Sequence, residues 1–530
     1  MANLSQQKRE RMLAFLNKVK EEHKDDDETL QALDEIENEL NSKKYGLVWE
    51  KHEEEVDRMM QDNIPVFTEV KEREIKATDE NAYNFLLEGD NLHSLKLLEK
   101  THAGKIDVIY IDPPYNTGNK DFIYDDAFVD KTDGYAHSKW LSFMSERLEI
   151  AKRLLSNEGV IFISIDDNEI AQLKLLCDSI LGEDNFVTSI HWKRSESQNN
   201  SAKQFAIVGE FILCYAIDKA TRLFNKIALQ DTAIKEYRYI DEVTGKRFRR
   251  GTIIDNTRGK NILDIVSPSG IKKRIKSIRN KQFFEEKDNN GEIYWTKTGT
   301  PYLKIFLDKS DGQISNNWFD NVGVNEDASE QLRKLNIDFS FSKPTSLIIK
   351  LLEIAGNDKS IILDFFAGSG TTAHAVLELN KEDGGNRKFI LCTNNENNIC
   401  EEVTYERIKR VIHGYADVEG IPANLKYFKT DFIAKDADDV SEELLSHIKE
   451  MVELENGITL DNKHYLIVLS DEQADELAKN WSNYKDVKAI YVSRNVLFTS
   501  EQDALFSNTE IHIIPDYYFE YELKEVGETW

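Results

Sequence analysis

Two short stretches of this 530-residue chain carry residue types that could do chemistry. The first is IDVIYIDPPYNTG, Ile106 to Gly118. Its β-branched apolar run reads as a strand buried in the middle of a parallel sheet. The strand ends on Asp112, followed at once by Pro113, Pro114 and Tyr115. The prolines fix the backbone behind the carboxylate, so an acid and an aromatic ring stand on a stiff strand end, a combination suited to holding something flat. The second stretch is ILDFFAGSGTTAHA, Ile362 to Ala375. Gly368, Gly370 and Ala373 fit a G-x-G-x-x-A pattern between a strand and a helix. Such glycines allow a tight turn, and the helix N-terminus behind them favours an anionic or polar ligand group. A lone match is as often only a tight turn, and the strand and helix patterns around this one strengthen it. No lysine follows the last glycine, so it is not a Walker loop. Glu396 in CTNNEN, past the next strand, is the acid offered for a ribose, later than a dehydrogenase fingerprint places it.

Both stretches need a sheet to position them. From Tyr83 the chain reads strand (YNFLLE), helix (LHSLKLLEK), strand (KIDVIYI), helix (KWLSFMSERLEIAKRLL), strand (GVIFISI), a β-α-β-α-β order that implies a parallel sheet with crossover helices. After a basic segment the α/β pattern resumes with SLIIKLLEIA, SIILDFF, TTAHAVLELNK and RKFILCT. In a Rossmann-type sheet strands 1 and 4 are neighbours at the switch point, and ligands sit beyond their carboxyl ends. Taking SIILDFF as strand 1 and IDVIYI as strand 4 sets AGSG and DPPY across one crevice. Strands 3, 4 and 5 then come first in the chain and strands 1 and 2 last, which is a circular permutation.

Net charge is −28, which argues against a protein that coats nucleic acid over its whole surface. Lys246 to Lys281 nevertheless carries twelve basic residues against Asp255 and Asp264 alone. In so acidic a chain such a block favours phosphate contacts over an accidental solvated face. Cys177, Cys214, Cys392 and Cys400 show no metal-type spacing, which points to buried thiols in a reducing compartment. No apolar run is long enough to span a bilayer and no secretory signal is evident, so the expected location is the cytoplasm.

DPPYNTG with LDFFAGSGTT downstream resembles the amino-group DNA methyltransferases of the β arrangement. The surrounding text is similar to the modification (Mod) subunit of type III restriction-modification systems: LEGDNLHSLKLL, GYAHSKWLSFMSERL, GVIFISIDDNE, FSKPTSLIIKLLEIA and FILCTNNENNICEEVTYERI. The likeness runs over roughly residues 44–433 and is weak in the basic segment. It implies an α/β fold: a circularly permuted, Rossmann-like, S-adenosylmethionine-dependent methyltransferase sheet with an inserted target-recognition domain. The expected organisation is a helical N-terminal region (1–80), a core half with DPPY (81–192), the insert (193–335), a core half with the cofactor loop (336–435) and a small α/β C-terminal region (436–530).

The resemblance implies transfer of a methyl from S-adenosylmethionine to the N6 of an adenine flipped from double-stranded DNA. Asp112 and the Pro113 carbonyl would accept the two amino hydrogens, Pro113 and Pro114 would hold them rigid, and Tyr115 would stack on the extruded base. The cofactor site would comprise Asp364, Phe366, Ala367, Gly368, Ser369 and Gly370, with Glu396 on the ribose, Asp90 on the adenine side, and Lys343, Pro344 and Ser346 near the methionine portion. Asp364, Glu396 and Asp90 are also ordinary capping or turn residues. Arg247, Arg249, Arg250, Lys272, Lys273 and Arg274 are the expected DNA contacts, and no metal is expected. Further implied partners are a second copy of the chain and a separate helicase-nuclease restriction subunit. Cytosine N4 chemistry, where Ser more often stands in place of Asp112, remains open, as do a solitary adenine methyltransferase and a recognition subunit without turnover. PDYYFEYELK near the C-terminus mimics a PD…ExK nuclease motif, but its acids read as lying along one strand, which does not give that geometry.

Overall fold

The computed structural model describes residues 4–23, 26–41, 49–118, 122–124, 127–129, 133–197, 204–229 and 231–528. The chain divides into a larger unit (Met1–Arg222, Trp318–Ile349, Asn357–Trp530) and a smaller one (Leu223–Asn317, Lys350–Gly356).

The larger unit is built around a central sheet. Its strands are β1 (Asn63–Glu69), β2 (Tyr83–Glu88), β3 (Ile106–Ile111), β4 (Leu155–Ile165), β5 (Phe186–Lys193), β6 (Gly209–Ala216), β7 (Trp318–Phe319), β8 (Ile361–Asp364), β9 (Lys388–Thr393) and β10 (Asn424–Ala434). They run in the order β1-β10-β2-β9-β8-β3-β4-β6-β5-β7, and the short strand Ile75–Lys76 also pairs with β10. From β10 to β4 every pairing is parallel. The β8–β3 register, Ile362 to Val108 and Leu363 to Ile109, makes the two motif-bearing strands direct neighbours. The permuted order 3-2-1-4-5 is therefore present as β2-β9-β8-β3-β4. Ile106, Val108, Ile109 and Ile111 are fully buried. Burial at about 1.5–3 kcal/mol per large aliphatic explains why so plain an apolar run holds the centre.

Helices α1 (Asn91–His102), α2 (Ala136–Leu154) and α3 (Thr371–Asp383) connect the parallel strands. Among the described residues no helix is long and apolar enough to cross a membrane. All four cysteines are buried and unbridged, and burial pushes the Cys177, Cys214, Cys392 and Cys400 thiols up.

The structure corrects three expectations. Residues 63–69 and 75–76, expected within the helical N-terminal region, are strands of the central sheet. The compact insert is narrower than 193–335, because β6 and β7 pair into the main sheet and only Leu223–Asn317 separates from it. The motif near the C-terminus is not one strand: Asp516 lies in a 3-10 turn, and Glu522 and Lys524 sit on helix Glu520–Val526. That region otherwise holds a small parallel sheet, Tyr465–Val468, Ala489–Ser493 and Glu510–Ile514.

The smaller unit carries a four-stranded antiparallel sheet in the order Tyr239–Ile240, Arg247–Gly251, Pro301–Phe306, Ile293–Trp295, and a separate hairpin, Asn261–Val266 with Lys272–Ser277. Leu263, Ile265, Ile275 and Phe284 form its small core with Ile253 and Ile293.

Candidate active site

Because β2, β9, β8 and β3 run parallel, their carboxyl ends emerge along one edge of the sheet, where ligands of such folds bind. Asp112 follows β3 at that edge. Its Oδ2 accepts a hydrogen bond from Lys343 Nζ at 2.7 Å, and its Oδ1 accepts one from the Tyr115 hydroxyl at 2.8 Å. The same hydroxyl lies 3.2 Å from Glu210 Oε2. Lys343 Nζ is 3.7 Å from Glu210, whose Oε1 takes Arg194 at 2.8 Å. Two acids and two cations thus form one compact group, with the ammonium 5.2 Å from the centre of the Tyr115 ring. Burial works to lower the Lys343 pKa, but Asp112 and Glu210 more than offset it and raise it above the ordinary lysine value. Burial, reinforced by Asp112 and Glu210, pushes the Tyr115 phenol up, so it stays a donor.

The turn itself is pinned from behind. The fully buried Trp140 donates its indole N–H to the Pro114 carbonyl at 2.7 Å. Asn116 sits at φ 57°, a left-handed conformation that asparagine tolerates. Its side chain donates to the buried Glu169 at 2.6 Å and to the Ala136 carbonyl at 3.2 Å.

At the end of β8 the Gly-rich turn uses left-handed backbone at Gly368 (φ 49°) and Gly370 (φ 76°) to enter α3. A Cβ on Gly368 would meet nothing nearer than 3.8 Å, so there is open space on its Cα; one on Gly370 would press on Thr404 at 3.2 Å. Behind the turn the buried Arg407 donates to Ser369 Oγ (3.0 Å), Thr371 Oγ1 (2.9 Å) and Gln331 Oε1 (2.9 Å). Burial lowers its pKa to about 10.

Asp364 is buried, with Oδ1 accepting from the Phe366 N–H (3.0 Å) and Oδ2 from the Thr372 hydroxyl (2.5 Å). Burial outweighs those donors and pushes the carboxyl up to about 7 from 3.8. Between about pH 4 and 7 the folded chain therefore keeps a proton that the unfolded chain gives up. Stability falls as pH rises through that window, by a few kcal/mol at most. Asp364→Asn is expected to flatten this slope in urea unfolding at pH 5 and 7.5, whereas an unchanged slope would mean the carboxyl is ionised throughout.

Of the other expected site residues, Asp90 caps α1, accepting from the Leu92 N–H at 2.7 Å, and is 3.3 Å from Arg147. Arg147, which the sequence did not single out, is fully buried and also holds Glu54 through two nitrogens (2.6 and 3.2 Å) and Asn91 at 2.5 Å. Asn91 in turn donates to the Phe365 carbonyl at 2.9 Å, which ties the start of α1 to the Gly-rich turn. Phe366 is half-buried, Ala367 donates its N–H to the Cys392 carbonyl at 3.1 Å, and Glu396 is exposed beyond β9. Pro344 is buried beside Lys343, and Ser346 Oγ accepts from the Gly323 N–H at 3.0 Å.

In the smaller unit the six basic candidates divide. Arg250 lies over the rings of Tyr239, Tyr294 and Tyr302 at 4.2–5.3 Å, Arg249 over Tyr237 at 5.6 Å, and Arg247 donates to the Tyr237 and Ile234 carbonyls. Lys273 reaches Thr300 at 3.1 Å. Lys272 and Arg274 are exposed on one face of the hairpin, and Lys276 continues their row.

The DNA methylase family model matches residues 106–405. The Mod subunit of the type III restriction-modification enzyme StyLTI from Salmonella typhimurium is 35% identical over 391 residues, 66% of this chain and 60% of that protein. The type II methyltransferase M.KpnI of Klebsiella pneumoniae is 34% identical over 336 residues, 58% of this chain and 79% of that protein. The Mod subunit of EcoP15I from Escherichia coli is 27% identical over 503 residues, 80% and 75% of the two chains. The matched span takes in both strand-end loops, Lys343 and Glu210, and on that ground the chain belongs to the N6/N4 DNA methylase family.

Proposed function

We propose that this chain transfers a methyl from S-adenosylmethionine to the N6 of a flipped adenine in double-stranded DNA, as the modification and recognition subunit of a type III restriction-modification system in the cytoplasm. The observation that carries the reading is Asp112 on the rigid Pro113–Pro114 turn, on the strand next to the one that ends in the Gly-rich turn. Aspartate at position 112, where N4-cytosine enzymes more often carry serine, favours adenine.

The residues of the Gly-rich side fit a bound adenosyl group. The open space at the Gly368 Cα, the half-buried Phe366 ring and the exposed Glu396 carboxylate offer a close approach, an aromatic face and an acceptor for ribose hydroxyls. S-adenosylmethionine supplies an electrophilic methyl on a sulfonium sulfur. The chain's own work concerns the amino nitrogen, a poor nucleophile because its lone pair is delocalised into the ring. Acceptance of its two hydrogens by the Asp112 carboxylate and the Pro113 carbonyl favours a tetrahedral nitrogen with a localised lone pair. The same carboxylate would then face the positive charge that gathers on nitrogen as the N–C bond forms and the methyl–sulfur bond breaks, the sulfur leaving as a neutral thioether and the nitrogen then losing one proton to solvent. Tyr115 offers a ring to the extruded base, offsetting part of an unstacking cost of a few kcal/mol.

The smaller unit is the proposed DNA reader. A two-stranded ribbon fits the major groove, and Lys272, Arg274 and Lys276 form an exposed row along one, cross-strand from Val266, Asp264 and Ile262. Replacing all three by Ala is expected to weaken binding across sequences and to reduce the slope of log K against log salt by about 2.7, three phosphate contacts' worth. An unchanged slope would move the DNA surface elsewhere. Exposed Met12, Phe15 and Ile36 on the N-terminal helices are offered as the contact with a second copy, and a separate restriction subunit completes the system.

The test is incubation with S-adenosylmethionine and unmethylated genomic DNA, followed by nucleoside mass spectrometry and modification-sensitive sequencing. N6-methyladenine on one strand of one short motif is the expected result, and folded, cofactor-binding protein that leaves DNA unmodified would overturn the reading. The match to a type II methyltransferase keeps a methyltransferase outside a type III system as the second reading, which methylation of both strands would select.

A further inference from the structure

We infer that Glu210 is a positioning residue of this site, taking over the Lys343 ammonium when a substrate amino group engages Asp112; the inference rests on the methyltransferase reading above. Each carboxylate oxygen of Asp112 already accepts one hydrogen bond, Oδ2 from Lys343 at 2.7 Å and Oδ1 from the Tyr115 hydroxyl at 2.8 Å. An amino hydrogen of the base must share one of these oxygens or displace its donor, and while the ammonium stays, the carboxylate it meets is neutralised. Both donors already stand near a second acceptor: Glu210 Oε2 is 3.2 Å from the hydroxyl and 3.7 Å from the ammonium. A movement of about 1 Å brings Lys343 to ordinary charge-assisted hydrogen-bond length from Glu210.

Glu210 is suited to receive it. Its side chain is 5% exposed at the start of β6, which fixes its place, and Oε1 is held by Arg194 at 2.8 Å. If Glu210 served only to pair Arg194, Oε1 would suffice, yet Oε2 faces the two donors on Asp112. The electrostatic consequence is direct. A carboxylate neutralised by an ammonium does little for positive charge developing on N6, whereas one that has passed its cation to a neighbour carries its full charge at that moment. The cation stays paired throughout, so no buried charge is stranded.

The experiment is single-turnover transfer by the full chain to a duplex carrying the mapped site, for wild type, Glu210→Gln, Glu210→Asp, Lys343→Met and the Glu210→Gln/Lys343→Met double. Glu210→Gln should slow transfer roughly 10- to 100-fold, at or below the loss of a direct electrostatic contact. Calorimetric affinity for S-adenosylmethionine should hold within twofold, and Glu210→Asp should recover part of the rate. With Lys343→Met, adding Glu210→Gln should cost nothing more, because no cation is left to receive. Binding is the second readout: wild type should prefer adenine over purine, which lacks the amino group, at the target position, and Glu210→Gln should lose that preference. A full Glu210→Gln penalty in the Lys343→Met background, an unchanged preference, or a Glu210→Gln rate equal to wild type would overturn the inference alone. Loss of cofactor affinity in Glu210→Gln would make the residue structural and overturn it too. A wild type that methylates nothing would overturn the methyltransferase reading itself.

Discussion

Asp112→Ala is expected to cut methyl transfer by at least about 10³-fold, the upper scale for losing one preorganised electrostatic group, while leaving S-adenosylmethionine affinity within a few-fold. The carboxylate serves as acceptor and as counter-charge, and nothing else on the β3 turn supplies both. The fold should survive because of what surrounds it. Lys343 loses its partner at 2.7 Å but keeps Glu210 within 3.7 Å, so its ammonium is not left alone in the interior. Trp140 still clamps the Pro114 carbonyl, so the turn keeps its shape. Asp112→Asn should fall between wild type and Ala, since the amide oxygen can accept a hydrogen bond without balancing charge. Calorimetry with the cofactor beside single-turnover transfer checks both halves. A variant that is folded but no longer binds S-adenosylmethionine would place Asp112 in cofactor binding and contradict its role at the amino group.

What the sequence disclosed about this site was local. A β-branched run closed by DPPY and a strand-turn-helix closed by AGSG each need only a dozen neighbouring residues to be read, and their parallel pairing at Ile362–Val108 follows from general switch-point geometry. What it did not disclose is assembled from afar. Lys343 reaches Asp112 across 231 positions, and Glu210 reaches Tyr115 across 95. Glu210 lay hidden because EFILCYAI reads as a strand without saying which sheet it joins. It joins the main sheet through Ile165–Phe211 pairing, which also shortens the insert. The basic block misled in part for a similar reason. Counting charges cannot separate Arg250, enclosed by three tyrosine rings, from Lys272 and Arg274 facing water. Arg147 and Arg407 gave no signal, since an arginine on an amphipathic helix ordinarily faces solvent.

Arg147→Leu is expected to cost about 3–5 kcal/mol of folding stability, the range for removing one partner of a buried ion pair. Its guanidinium is fully buried, stacked 3.8 Å from the Phe143 ring, and joins Glu54 to the adjacent pair Asp90 and Asn91 at the start of α1. Leucine can fill much of the volume but leaves Glu54, at 8% exposure, without its cation. Burial already raises the Glu54 pKa even with Arg147 opposing it, and without Arg147 it must rise further. A raised carboxyl pKa means stability is lost as pH climbs from the unfolded value through the folded one. The variant should therefore lie closer to wild type at pH 5 than at pH 8 in urea unfolding. Adding Glu54→Leu should restore more than half of the loss, because removing both partners leaves no charge stranded. A loss under about 1 kcal/mol, or one that is flat with pH, would mean that water reaches Glu54 and that the pair does not organise this corner. Function should register the change as well. Asp90 loses a cationic neighbour, and Asn91, which ties α1 to the Phe365 carbonyl, loses the contact that orients it. Weaker S-adenosylmethionine binding in a variant still folded at low temperature would connect this buried arginine to the cofactor side of the site.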